Sequence, residues 1–371
     1  MSEEKKVNRR DYLKYTGAAI GGLVVGGALG YVLKPAEVVE KTITAPGVEK
    51  TVTVTKPSEV IKEITVRGKT PFSDLVIVSL VGAKGDPFAD RLAKGASEAG
   101  EILGCDVRNV YCGWGPEEVK KGFKDALAID PDGIVTIGHG PWDVTHDCFE
   151  EAAERGIVVT IRNVDIPQAR ERYQRYGCGY VGADLYKWGW GAAKEAIKRG
   201  LVKPGERAAV ISGCWGEPVR EDCDTGVEDG LKDSGVIVDR IVADEIIYSK
   251  PEETIPYLVG YYSKHPDVKY IFLDTKGGVA RKFCEAVGLK PGEIKMATYN
   301  IEPSIIEEIK EGYLEYSCEQ QPYYQGFLPI FQICATKKYG LAGLVIYTHE
   351  NAILDATNAD LVAKLTKDLY R

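Results

Sequence analysis

The sequence predicts an α/β protein of two lobes, each a parallel sheet with helices on both faces. Three observations predict it. Runs such as Asp74–Leu80 are almost continuously apolar, the mark of a strand covered on both sides. Such runs alternate with segments of helical spacing through most of the chain. The alternation yields eight strands, more than the roughly four to six usual in one sheet, and 371 residues suit two domains with appendages.

The elements follow in order. Strand 74–80 leads to a helix over Phe88–Leu103, with Leu92, Ala93, Ala96, Ala99 and Ile102 on one side. Asp106–Tyr111 is a strand. Pro116–Ala128 is a helix whose first turn carries Glu117 and Glu118, which suits the helix dipole. Strand Gly133–Ile137, helix Val144–Arg155 and strand Ile157–Ile161 come next. After a break the pattern resumes with helix Leu185–Arg199, strand Ala208–Ser212, helix Asp222–Asp233 and strand Val238–Ala243. It ends with helix Glu252–Lys264, strand Tyr270–Leu273, helix Lys276–Val287, strand Ile294–Tyr299 and helix Pro303–Glu311.

The N-terminus is organised differently. Asn8-Arg9-Arg10-Asp11-Tyr12-Leu13-Lys14 resembles the twin-arginine export motif, with Tyr at the usual Phe position. An uncharged Gly/Ala/Val/Leu run, residues 15–33, follows and closes at Lys34-Pro35. Residues 1–35 thus have the layout of a signal peptide, and the run is also about as long as a membrane span. Cleavage and retention as a membrane anchor both stay open. Residues 36–70 alternate Thr and Val with charges and lack large apolar residues. They read as an extended stalk or linker, with room for a short exposed strand.

Composition excludes several functions. The net charge of −8 and the absence of a Lys/Arg stripe disfavour nucleic acid. None of the nine Cys lies in a C-x-x-C and only four His exist, so the zinc templates fail and no metal is expected. Cys105 and Cys112 close the ends of one strand, roughly 20 Å apart, and cannot bond to each other. Disulfides among the others, or buried free thiols, both stay open. No P-loop, dinucleotide fingerprint, nucleophile elbow or H-E-x-x-H occurs, so neither a cofactor nor catalysis is expected.

In parallel sheets, ligands collect at the carboxyl ends of the strands. There the chain places Asp86-Pro87-Phe88, Gly113-Trp114-Gly115, Pro141-Trp142-Asp143 and Arg162-Asn163. The second lobe offers Cys214-Trp215-Gly216, Asp274-Thr275 and Asn300. Trp rings pack on sugar faces, and amide, carboxylate and guanidinium groups fix hydroxyls.

At these positions the chain from about residue 73 resembles the ribose-binding type of periplasmic binding protein, the sugar-binding subunit of ABC importers. The resemblance rests on Asp86-Pro87-Phe88, Asp132-Gly133-Ile134, Gly182-Ala183-Asp184, His265–Phe272 and above all Glu319-Gln320-Gln321-Pro322. It implies two Rossmann-like lobes joined by three crossovers, near 165–180, 320–323 and 352–357. Lobe 1 would comprise 71–176 and 322–352, and lobe 2 177–321 and 353–371. It implies Asp86 and Phe88 as ligand contacts, with Asn163 at the family's first-lobe Asp. The adjacent Arg of the family falls on Val164, with Arg162 next door. Arg220 lies near the second-lobe Arg, Thr275 takes the place of an Asn, Asn300 that of an Asp, and Gln320 keeps the crossover Gln. The family's acidic hydroxyl acceptors thus become amides, and the identity of the sugar is not implied. With Trp114, Trp142 and Trp215 these residues form the candidate site. The expected function is a solute binder that closes on a sugar-like ligand and delivers it to an importer permease. A nucleoside binder, or an ectodomain that passes its signal to a receptor, is the alternative.

Overall fold

The computed structural model describes residues 69–371 except 218, 276, 350 and 351, and, before them, the backbone of three strands. Arg9, Arg10 and the apolar run 15–33 lie outside the described residues. The three strands are β1 (Glu40–Ala45), β2 (Val48–Thr53) and β3 (Glu63–Arg67), an antiparallel meander. The segment read as an extended stalk therefore carries a small sheet. Its alternation of β-branched and charged residues is the period-two pattern of a strand.

Residues 69–371 form a separate unit with two six-stranded sheets. The first lobe contains β4 (Val76–Val81), β5 (Asp106–Tyr111), β6 (Gly133–Ile137), β7 (Val158–Asn163), β8 (Gly179–Gly182) and β14 (Val345–Tyr347). All its pairings are parallel, in the order β14-β8-β7-β6-β4-β5. Its helices are α1 (Pro87–Leu103), α2 (Pro116–Ala128), α3 (Trp142–Glu154), α4 (Pro167–Tyr173) and α10 (Pro322–Tyr339).

The second lobe holds β9 (Arg207–Ser212), β10 (Ile237–Val242), β11 (Val268–Leu273), β12 (Lys295–Tyr299), β13 (Tyr316–Cys318) and β15 (Ile353–Leu354). The order is β10-β9-β11-β12-β13-β15, parallel except for the last pair. Around it lie α5 (Leu185–Lys198), α6 (Asp222–Lys232), α7 (Thr254–Lys264), α8 (Ala280–Val287), α9 (Pro303–Glu311) and α11 (Ala359–Lys367).

Each sheet is sandwiched. In lobe 1, Leu80, Phe123, Ile137 and Phe149 fill one face, and Ile77, Ala96, Ile330 and Ile333 the other. The close approach of α1 and α10 depends on Gly95 and Gly326: a Cβ at Gly95 would lie 2.1 Å from the Tyr323 carbonyl oxygen, and one at Gly326 2.2 Å from that of Leu92. In lobe 2 the two faces carry Ile271, Met296 and Phe283 on one side and Phe272, Tyr299 and Trp188 on the other. The described cysteines are unbonded, and the sulfurs of Cys105 and Cys334 meet at 3.7 Å inside lobe 1.

The chain passes between lobes three times. The first passage lies between β8 and α5, at Ala183–Asp184, rather than at 165–180. Four residues of β8, Gly179–Gly182, pair with β7 and β14 and so remain in lobe 1, which moves the expected boundary at 177. The other passages join β13 to α10 and β14 to β15, the last crossing slightly before the 352–357 expected. The three strands of connection are tied together. Thr348 Oγ1 donates to the Gln320 carbonyl at 2.7 Å, Gln325 Nε2 donates to that carbonyl at 2.9 Å and to Thr348 Oγ1 at 3.1 Å, and the Thr348 amide donates to the Gly182 carbonyl at 2.9 Å.

Candidate ligand-binding site

The carboxyl ends of both sheets face a common cleft, as expected of parallel strands. It contains a cavity of about 600 Å³, lined from lobe 1, lobe 2 and the Gln320 crossover. Asp86, Phe88, Trp114, Asn163, Arg220, Asn300 and Gln320 all line it. Of the other residues singled out in the sequence, Trp142 lines a neighbouring cavity, and Trp215 and Thr275 line neither.

Asp86 is the N-cap of α1. Its Oδ1 accepts from the amides of Phe88 at 2.8 Å and Ala89 at 3.4 Å, and its Oδ2 from Trp114 Nε1 at 3.3 Å. Pro87 at the first helical position needs no donor there. The cap turns Phe88 toward Trp114, edge to face with ring centroids 5.9 Å apart, and Trp114 lies 5.2 Å from the His139 ring. A cap, an aromatic pair and an imidazole thus form one wall.

Asn163 ends β7 and Asn300 follows β12, at equivalent places in the two lobes. Both have left-handed backbones, with φ of +71° and +67°. Asn tolerates this conformation better than other chiral residues. The Asn163 side chain is fully engaged: Oδ1 faces His139 Nε2 at 3.0 Å, and Nδ2 donates to Gln320 Oε1 at 3.2 Å and Gln325 Oε1 at 3.5 Å. Burial, and secondarily the Arg220 charge, push the His139 pKa down to about 4. The ring is therefore neutral at pH 7 and has one donor and one acceptor.

From lobe 2, Arg220 reaches the cavity while paired with Glu217 and Glu245. Tyr248 lines the cavity and donates to Asp274 Oδ2 at 2.5 Å, which also accepts from Ser212 Oγ at 3.1 Å. Behind them Asp224 is fully buried, and among the described residues neither of its carboxylate oxygens has a partner. Burial, then the neighbouring Asp274, hold its pKa well above the ordinary carboxylate range.

Sequence reasoning missed Arg91, Glu245, Tyr248 and Glu302, all of which line the cavity. Arg91 is the most informative. It is 3% exposed, and its Nε and Nη2 find no acceptor among the described residues. Burial lowers its pKa, opposed by the charges of Glu319, Glu302, Asp86 and Asp90. A buried guanidinium with unused donors at a cavity wall suits a ligand oxygen. The sequence did hold a signal: Arg91 lies three residues after Phe88 and so shares its face of α1.

Thr275 and Trp215 turn into lobe 2. Thr275 Oγ1 faces Thr254 Oγ1 at 3.1 Å and donates to the Ile247 carbonyl at 3.4 Å, inside lobe 2. Trp215 packs against the lobe 2 core, with the Arg240 guanidinium 4.2 Å from its ring. Arg162, next to Asn163, is fully buried beneath the cleft, donates through Nη2 to the Leu80 carbonyl, and has its pKa lowered to about 9 by burial.

Two parallel α/β lobes, hinged by three crossings around one polar and aromatic cavity, define the type I periplasmic-binding-protein fold. The periplasmic binding protein domain matches residues 77–338, and the chain belongs to that family. It is 30% identical over 195 residues to the xylose/arabinose-binding protein XylF of Sulfolobus acidocaldarius, a match spanning 50% of this chain and 46% of that protein. Among solved structures, a periplasmic ribose ABC transporter protein of Conexibacter woesei superposes with a TM-score of 0.68 at 20% identity, covering 82% of this chain and all of the other. A carbohydrate transporter protein of Acidothermus cellulolyticus, in complex with myo-inositol, gives 0.65 at 20% identity, covering 80% and 99%. These superpositions establish the fold.

Proposed function

We propose that the chain is the extracytoplasmic solute-binding component of an ABC importer, and that it holds a small sugar or sugar-like molecule in the interlobe cavity. The observation that carries this reading is the pairing, in one cavity, of the aromatic edges of Phe88 and Trp114 with the unused donors of Arg91. Sugars present both an apolar ring face and clustered hydroxyls, and this wall answers both. The relatives point the same way: one is a xylose/arabinose-binding protein, one a periplasmic ribose ABC transporter protein, and one was solved in complex with myo-inositol.

Both lobes contribute to the wall, so a ligand held by one recruits the other and favours the closed form. An importer permease would read that form. Export would follow from Arg9-Arg10 and the apolar run after them, with cleavage or anchoring of that run both compatible with the role. Arg220 is already held by two glutamates and Asp86 caps a helix, which suits binding rather than catalysis.

A thermal-shift screen of the purified chain against pentoses, hexoses, cyclitols and nucleosides tests the reading. A sugar or cyclitol at 100 times its Kd should stabilise by about 2.7 kcal/mol, a shift of several degrees. Stabilisation by a nucleoside alone would replace the sugar with that class.

A further inference from the structure

Beside the main cavity lies a second one of about 480 Å³. The two share a wall made of Trp114, Pro116, His139 and Arg220. The main cavity already lies within the range of roughly 300–1,000 Å³ that holds a small ligand, so a single sugar ring does not need the second space.

The second cavity has its own ligand-like furniture. Trp142, in the first turn of α3, lines it, with the indole supported by His146 at 5.8 Å and Phe149 at 6.3 Å. Asp143 and Gln168 add polar groups from lobe 1, and Glu217 and Val219 face them from lobe 2. Val219 has a φ of +69°. A β-branched residue rarely adopts that conformation, and it persists where the surroundings hold it, commonly at ligand clamps.

We propose that the cleft accommodates a two-ring saccharide, one ring against Phe88 and Trp114 and the second against Trp142. This rests on the sugar-binding reading of the main cavity. The charges of the second cavity indicate a neutral partner. Arg220, the one cation lining it among the described residues, is held by Glu217 and Glu245, and Asp165 accepts from Arg170 at 3.0 Å. An acidic sugar would meet Asp143 and Glu217 without a spare cation. Hydroxyls can instead donate to both carboxylates and bond to Gln168.

The test is calorimetric titration of the full chain with neutral monosaccharides and with the disaccharides built from them. A disaccharide should bind at least about tenfold tighter than its better component, the scale of one added aromatic contact with its hydrogen bonds. Trp142→Ala should cut that preference about tenfold, and Gln168→Ala, on an exposed helix start, should cut it severalfold. Measuring the preference as a ratio on the same variant separates binding from any folding defect. Disaccharides binding no tighter than monosaccharides, or a preference unmoved in both variants, would overturn the second subsite and leave the first intact. No binding of any saccharide would overturn the sugar reading itself.

Discussion

Arg91→Met should weaken ligand binding about 100-fold and leave the folding stability within about 1 kcal/mol of the parent. Two charge-assisted hydrogen bonds to ligand oxygens are worth about 3 kcal/mol, and their loss raises Kd by some two orders of magnitude. Stability behaves differently because Nε and Nη2 make no bond within the protein. Their desolvation cost vanishes with the guanidinium, and so does its attraction to Glu319 and Glu302. Met fills a similar length of apolar stem on α1. Titration and urea denaturation of the same preparation read the two effects. Equal losses of binding and stability would make Arg91 a structural residue, and unchanged binding would remove it from the site.

Asp224→Asn should stabilise the protein at neutral pH, on the order of 1–3 kcal/mol, and this gain should disappear in acid. The folded-state pKa of Asp224 is raised above its unfolded value of 3.8 by burial and by Asp274. A carboxyl shifted upward favours the fold fully below the unfolded value and loses that contribution as pH rises toward the folded one. At pH 7 the protein therefore carries the cost of ionising or holding a proton on Asp224, and the amide removes it. Below about pH 4 parent and variant should converge. Denaturant unfolding at several pH values measures this, and a gain independent of pH would show that the carboxylate is not the cause. Asp224 lies behind Asp274, which accepts from Tyr248 in the cavity wall, so the substitution also reports on how firmly that wall is held.

The two-lobed architecture was legible in the sequence because buried parallel strands announce themselves as apolar runs. Strands 106–111 and 133–137 and helices 116–128 and 303–311 have the same limits in both readings. Weakly patterned pieces escaped: β8 is the four residues Gly-Tyr-Val-Gly, β13 has three residues and β15 two. Their pairing comes from tertiary context, which is why the first crossing was placed too early.

For the site, the strand-end rule points to Asp86, Trp114, Asn163 and Asn300, and these line the cavity, since chain direction alone fixes which end of a parallel strand faces the cleft. Side-chain direction within a loop is not fixed that way. Trp215 and Thr275 stand at the right strand ends yet turn into lobe 2, where Arg240 and Thr254 satisfy them. Arg91 had the reverse problem: beside Asp90 in an amphipathic helix it reads as a solvated surface charge, its spacing from Phe88 is a weak signal, and its burial decides the matter.

The claim that the interlobe cavity binds the ligand is tested most directly by calorimetric titration of the chain with the sugar chosen by screening, alongside Phe88→Ala and Asn300→Ala. One site per chain is expected, with a loss of about tenfold or more in each variant and thermal transitions that remain cooperative. Parent-like affinity in both variants would contradict it.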